Sequence, residues 1–117
     1  MRRDLGALAQ GPYSNGVQTN PTTSTVLADT GAIATTSLNY EFIVTVWCTA
    51  AATFSVQRRN AANGANVGDV ATIRVPADMA GQYRFLFSLA SGERVRILPQ
   101  ASITGDAAAT INGEQCV

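Results

Sequence analysis

The carboxylates Asp29, Glu41, Asp69, Asp78, Glu93, Asp106 and Glu114 are the side chains from which the acid and base of a glycoside hydrolase could be drawn. Most of them follow a glycine or sit at an expected strand end, where acidic side chains satisfy turn N–H groups. Glu41 alone lies inside an apolar run, and its expected role is an ion pair with an arginine on a neighbouring strand. The chain has no histidine and no lysine. That excludes histidine-based nucleophilic triads, lysine Schiff bases and P-loop phosphate chemistry. Cys48 and Cys116, with no histidine to join them, make no zinc site, and no calcium-loop pattern surrounds Asp69, Asp78 or Asp106. The expectation is a chain with no catalytic, cofactor-binding or metal-binding residue: not an enzyme.

Every basic residue is arginine, and eight basic residues balance eight acidic ones. No strong field exists to draw in nucleic acid or anionic lipid, so neither is an expected partner. Each arginine is a planar fork suited to bidentate contacts. Arg84, Arg94 and Arg96 fall on outward parities of two strands expected to form a hairpin, which would gather them on one face. They read either as solvated or paired with Glu41 and Glu93, or as a patch that meets a partner, since arginine is enriched at interfaces. Arg58 and Arg59 at a loop entrance, and Arg2 and Arg3 near the N-terminus, admit the same two readings. With Tyr13 and Asn63 they complete the candidate partner-contact residues. Trp47 reads first as a sheet-packing residue, with a sugar-stacking platform as the alternative.

The elements that must position these groups are strands. At 117 residues the chain suits one domain. Residues 1–23 are rich in Gly, Pro, Asn and Thr without sustained period, and read as an extended N-terminal arm that could reach roughly 60–70 Å. Residues 24–117 read as a single β-sandwich. Ser24 to Ala28 and Ala32 to Thr35 are short strands split by an Asp29-Thr30-Gly31 turn. Tyr40 to Cys48 is β-branched and aromatic on both parities, the signature of a central strand covered on most of both faces.

Thr53 to Arg58 continues after a turn, and 59–68 is a polar loop holding the Asn63-Gly64 pair. Val70 to Val75 ends at Pro76, and Ala77 to Gly81 is the one place where a helical turn fits. Tyr83 to Leu89 alternates cleanly and turns at Ser91-Gly92 into Arg94 to Ile97. Ser102 to Gly113 reads as two short strands around Gly105-Asp106. The total predicts an all-β fold, an antiparallel sandwich or jelly roll of about eight strands. A Cys48–Cys116 disulfide is left open. The start Met1-Arg2-Arg3-Asp4-Leu5-Gly6 has no apolar run behind it, so neither a secretion signal nor a membrane span is expected.

Only 14% of residues are charged while 46% are hydrophobic, against about 25% charged in ordinary globular domains. The surface therefore rests on uncharged Thr, Ser, Asn, Gln, Gly and Ala, which suits assembly. Three stretches carry a family likeness: the arm 1–23, the pair Tyr83-Arg84-Phe85-Leu86-Phe87 with Gly92-Glu93-Arg94-Val95-Arg96-Ile97, and the tail Thr104 to Glu114. In these the chain resembles the small β-sandwich or jelly-roll structural proteins of tailed bacteriophages, especially capsid decoration or cement proteins. That resemblance implies a virion protein, made in the host cytoplasm, that clusters as a homo-oligomer, often a trimer, over junctions of the major capsid protein. The arm would fasten it, so that deleting residues 1–20 would leave the domain folded and weaken attachment. The alternatives are another virion component, such as a head–tail connector, tail or spike protein, or a carbohydrate-binding β-sandwich presenting Trp47 or Tyr83 on a concave face.

Overall fold

Period-two patterning with apolar residues on one parity drives two sheets to bury their faces against each other. The computed structural model describes the backbone at residues 2–4, 13–33, 39–60, 62, 66–88 and 92–116. The described elements are β1 (Arg2–Asp4), β2 (Gln18–Thr19), β3 (Ala28–Asp29), β4 (Asn39–Cys48), β5 (Ala52–Arg59), β6 (Asn66–Val75), β7 (Met79–Ser88), β8 (Arg94–Pro99) and β9 (Asp106–Cys116). A five-stranded sheet runs β1-β9-β4-β7, with β2 also on β9, and a four-stranded sheet runs β3-β8-β5-β6. All the pairings are antiparallel. The fold is an all-β sandwich.

Phe42, Val44, Val46 and Cys48 of β4 meet Phe54 and Val56 of β5, Ile73 and Val75 of β6, and Val95 and Ile97 of β8 across the interior, all essentially inaccessible. Fully burying Phe42 or Phe54 contributes about 1.5–3 kcal/mol each. On the β6–β7 side the interior is closed by Tyr83 and Phe85, whose rings stack with centroids 6.5 Å apart. The Tyr83 hydroxyl donates to the Arg74 carbonyl at 3.2 Å, tying β7 to the other sheet.

Several sequence expectations need correction. β7 and β8 do not form a hairpin: β7 pairs with β4 while β8 pairs with β3 and β5 in the other sheet. Residues 77 and 78 form a turn from which β7 departs at Met79, with Asp78 at φ 58°, so no helix forms. The tail is one eleven-residue strand rather than two, and the alanines at its start extend it because Ala107 and Ala109 lie opposite Cys48 and Val46 at the core. The polar loop is shorter than expected, since β6 begins at Asn66 and continues past an irregularity opposite Val56 and Gln57. Asn63 lies outside the described residues.

The N-terminal segment is extended, but where described it runs back along its own domain. Arg2 to Asp4 pair with Cys116 to Glu114, Tyr13 exchanges both backbone hydrogen bonds with Ile111 at 2.9 Å, and Gln18 and Thr19 pair with Ala107 and Asp106. An arm reaching past the domain edge is replaced by an interrupted edge strand that covers β9. The Cys48–Cys116 disulfide is ruled out by register. Cys48 faces Ala107, and Cys116 lies nine residues farther along β9, about 30 Å away.

Candidate functional site

The core parity of β4 is fully buried, and on its other parity, outside the five-stranded sheet, Glu41 is buried and Ile43, Thr45 and Trp47 are half-buried, in keeping with a strand covered on most of both faces. What lies beside these residues is set by register. Trp47 lies between Ala80 of β7 and Ala108 of β9, Thr45 between Gln82 and Thr110, and Ile43 between Arg84 and Asn112. Methyl side chains on both sides of an indole leave it unscreened by its cross-strand neighbours. Along the next rows stand hydroxyl, amide and guanidinium groups at strand spacings of about 5 Å across and 7 Å along. The face thus combines one aromatic surface with hydroxyl and amide hydrogen-bonding groups and the Arg84–Glu41 pair.

Arg84 on this face is compensated. Arg84 Nη1 lies 3.5 Å from Glu41 Oε1, which meets the expectation that Glu41 pairs with an arginine on a neighbouring strand. The guanidinium is 64% exposed and the carboxylate 10% exposed. A pair so open to water holds the carboxylate in register and contributes little to stability.

At the end of β4, three residues beyond Trp47, a pocket of about 440 Å³ opens between residues 50–53 and 100–104. Its walls are alanine methyls, the Ile103 side chain, hydroxyls and the Gln100 amide, with no charged group among them. The volume falls within the range of small-molecule sites, about 300–1,000 Å³. One wall, 100–105, is held rigidly although it has no regular structure. Gln100 N–H donates to the Thr53 carbonyl, Ile103 N–H to Pro21, and Gly105 N–H to Asn20 Oδ1, all at 2.9 Å. Thr49 N–H donates to the Asp106 carbonyl and Asp106 N–H to Thr49 Oγ1, also at 2.9 Å. Among the described residues the N–H groups of Ala101, Ser102 and Thr104 have no such partner.

The residues proposed from sequence do not form one patch. Arg84 is on the outer face of the five-stranded sheet, whereas Arg59, Arg94 and Arg96 are on the outer face of the other, on the opposite side of the molecule. Arg58 shares the parity of Val56 and turns toward Glu93, with Nε 3.4 Å from Oε2, close enough for an ion pair though not aligned for a hydrogen bond. Tyr13 packs against the core. Arg2 and Arg3 have their backbone in β1. Tyr83 is turned inward at the rim and is no outer platform; Trp47 is the ring that faces outward. The pocket went unseen in the sequence because its two walls come from turns about fifty residues apart, one rich in alanine and neither carrying a charged side chain. Among the described residues no three acidic or thiol side chains gather as metal ligands would.

No family model matches the chain, and no curated protein does. Solved structures share the fold. One is the Clostridium thermocellum endo-1,4-β-D-xylanase 10B, as its CBM22-1 and GH10 modules complexed with xylohexaose, at TM-score 0.58 and 14% identity. The alignment covers 97% of this chain and 25% of that one, so this chain spans a quarter of that two-module structure. The globular domain of zebrafish complement 1qA protein aligns at TM-score 0.55 and 14% identity over 87% of this chain and 92% of that one. A family 29 carbohydrate-binding module aligns at 0.50 and 10% identity over 99% and 91%. At such identities the likeness concerns the sandwich itself, with its jelly-roll relatives.

Proposed function

We propose that the chain is a non-catalytic carbohydrate-binding module that takes a neutral polysaccharide across Trp47. The observation that carries this is the half-buried indole on the outer face, set between Ala80 and Ala108 and beside the hydrogen-bonding rows of Thr45, Gln82, Thr110 and Asn112. A sugar ring offers an apolar face for an aromatic surface and hydroxyls for polar neighbours, and Arg84 on this face is paired with Glu41. An uncharged pocket of about 440 Å³ opens just beyond the end of β4, a volume suited to a small ligand such as a terminal sugar. Carbohydrate-binding modules among the structural neighbours support the reading.

Affinity electrophoresis in gels containing xylan or mixed-linkage β-glucan tests it. The protein should be retarded by a neutral polysaccharide, and Trp47→Ala should weaken binding roughly 30-fold, the effect of losing about 2 kcal/mol at a central aromatic contact. Because Trp47 lies on an outer face, the variant should keep its circular dichroism spectrum. Unchanged retardation by the variant, or none by the wild type, would overturn the proposal.

A second reading, assembly on a virion surface, is supported by the 14% charge of the chain. It predicts a homo-oligomer, and a monomer at micromolar concentration in sedimentation equilibrium would remove it. The fastening arm that this reading expected is, where described, engaged with β9.

A further inference from the structure

The outer face of the four-stranded sheet has a different chemistry. Val56, Val95 and Ile97 point inward, so the alternate residues of β5 and β8 point out, and the register sets Arg59 opposite Arg94 and Gln57 opposite Arg96. Three guanidinium groups thus stem from one face, about 5 Å apart across the strands and about 7 Å apart along β8. Like charges placed directly opposite destabilise a strand pair.

Among the described residues the counter-charges around them are few. Asp29 of β3 lies opposite Arg96, with Oδ2 3.7 Å from Arg94 Nη1, while its Oδ1 accepts from Gly31 N–H at 2.8 Å. Asp69 of β6 holds the register position opposite Gln57. Glu93 is turned to Arg58. Arg59 is also engaged within the chain.

Two details orient the forks. Arg96 Nε donates to Gln57 Oε1 at 2.9 Å, which fixes one edge of the guanidinium and leaves the other to an acceptor. Arg94 Nε is buried without a hydrogen-bond acceptor. Burial first, and then the charge of Arg59, lowers the pKa of Arg96; Asp29 acts in the opposite sense and Arg94 in the same one. A carboxylate arriving on this face would relieve that repulsion.

We propose that Arg94 and Arg96, with Arg59 beside them, dock an extended acidic segment of a partner protein through alternate carboxylates. Charge complementarity selects the chemistry, since planar forks bind carboxylates with paired hydrogen bonds. Spacing selects the form: side chains on one face of an extended peptide recur every two residues, about 7 Å, the interval between Arg94 and Arg96. This face is separate from the Trp47 surface.

The test uses a fluorescein-labelled peptide of alternating Glu and Thr, followed by anisotropy at low and at 0.15 M salt (roughly a 10 and an 8 Å Debye length at 0.1 and 0.15 M). Binding should weaken with salt, fall at least tenfold in Arg94→Gln/Arg96→Gln, fall partly in Arg96→Lys, which keeps the charge and loses the fork, and be unchanged in Arg84→Gln on the other sheet. Should the double variant fail to fold, amide shifts of the wild-type protein on titration must concentrate at residues 57, 59, 94 and 96. Absence of binding, equal binding by the folded double variant, shifts elsewhere, or binding of polygalacturonate with none of the peptide would each overturn the proposal.

Discussion

Gly105 stands where the pocket wall enters β9, with φ at 126°, a conformation side chains rarely adopt. A Cβ there would lie 2.3 Å from Thr49 Oγ1. Thr49 cannot yield cheaply, because that oxygen accepts from Asp106 N–H. Gly105→Ala should therefore cost about 2–3 kcal/mol, lowering Tm by roughly 10 °C in a thermal melt. In a double-mutant cycle with Thr49→Ala the two losses should be less than additive, since the second change removes the atom the first would strike. Additive losses would mean that the strain lies in the backbone alone.

Cys48 is fully buried, with Sγ 3.8 and 3.7 Å from the carbonyls of Val75 and Pro76. Burial pushes its thiol pKa up, aided by Asp78 and opposed by the Ala52 N–H. The unfolded chain ionises this thiol above about pH 8.5 while the folded chain does not. Its contribution to stability is thus fully present below that pH and is lost as pH rises toward the folded value, at up to about 1.4 kcal/mol per unit. In a Cys116→Ser background, denaturant melts from pH 7 to 10 should show a steeper alkaline decline than the same protein carrying Cys48→Ala. Parallel declines would refute it.

At the scale of elements, alternation made β4, β5 and β8 readable, because side chains on a strand alternate faces whatever the strand pairs with. The same property hid sheet membership. Tyr83, Phe85 and Phe87 alternate identically whether β7 pairs with β8 or with β4, so the expected hairpin was a natural error. Trp47 shows the limit most clearly: parity put it opposite the core face, but its exposure depends on Ala80 and Ala108, brought beside it only by register. The N-terminal segment has no period because its pairing with β9 is interrupted and made largely by backbone groups, which leave no mark in composition. Removing residues 1–20 would uncover the N–H and C=O of Ile111 and a long edge of β9. The expected outcome is a lower Tm and concentration-dependent aggregation by light scattering. A truncated chain that melts as the full one and stays monodisperse would show that β9 needs no cover.

Across the described strands, most connections change sheets: β2 to β3, β3 to β4, β4 to β5, β6 to β7, β7 to β8 and β8 to β9 each cross from one sheet to the other, while β5 and β6 alone among consecutive described strands pair with each other. The last strand is the one on which the five-stranded sheet depends, since β9 pairs with β4 on one edge and with β1 and β2 on the other. β1 and the far end of β9 therefore meet, and the sheet cannot close until β9 is present. Loop-closure entropy must be overcome before these distant pairings return any stability, which places such topologies among slow folders, in milliseconds to seconds. A chain ending at Gly105 would leave Phe42, Val44 and Val46 on a strand paired only with β7, and without Ala107, Ala109 and Ile111 to complete the inner face. It should show no cooperative thermal transition and poor amide dispersion by NMR. Adding the missing strand as a separate peptide of residues 106–117 should restore both by folding together with the truncated chain, since that chain still carries the pairing partners of β9; failure of the peptide to do so, with the full chain folding normally, would mean that β9 must be covalently attached to find its place.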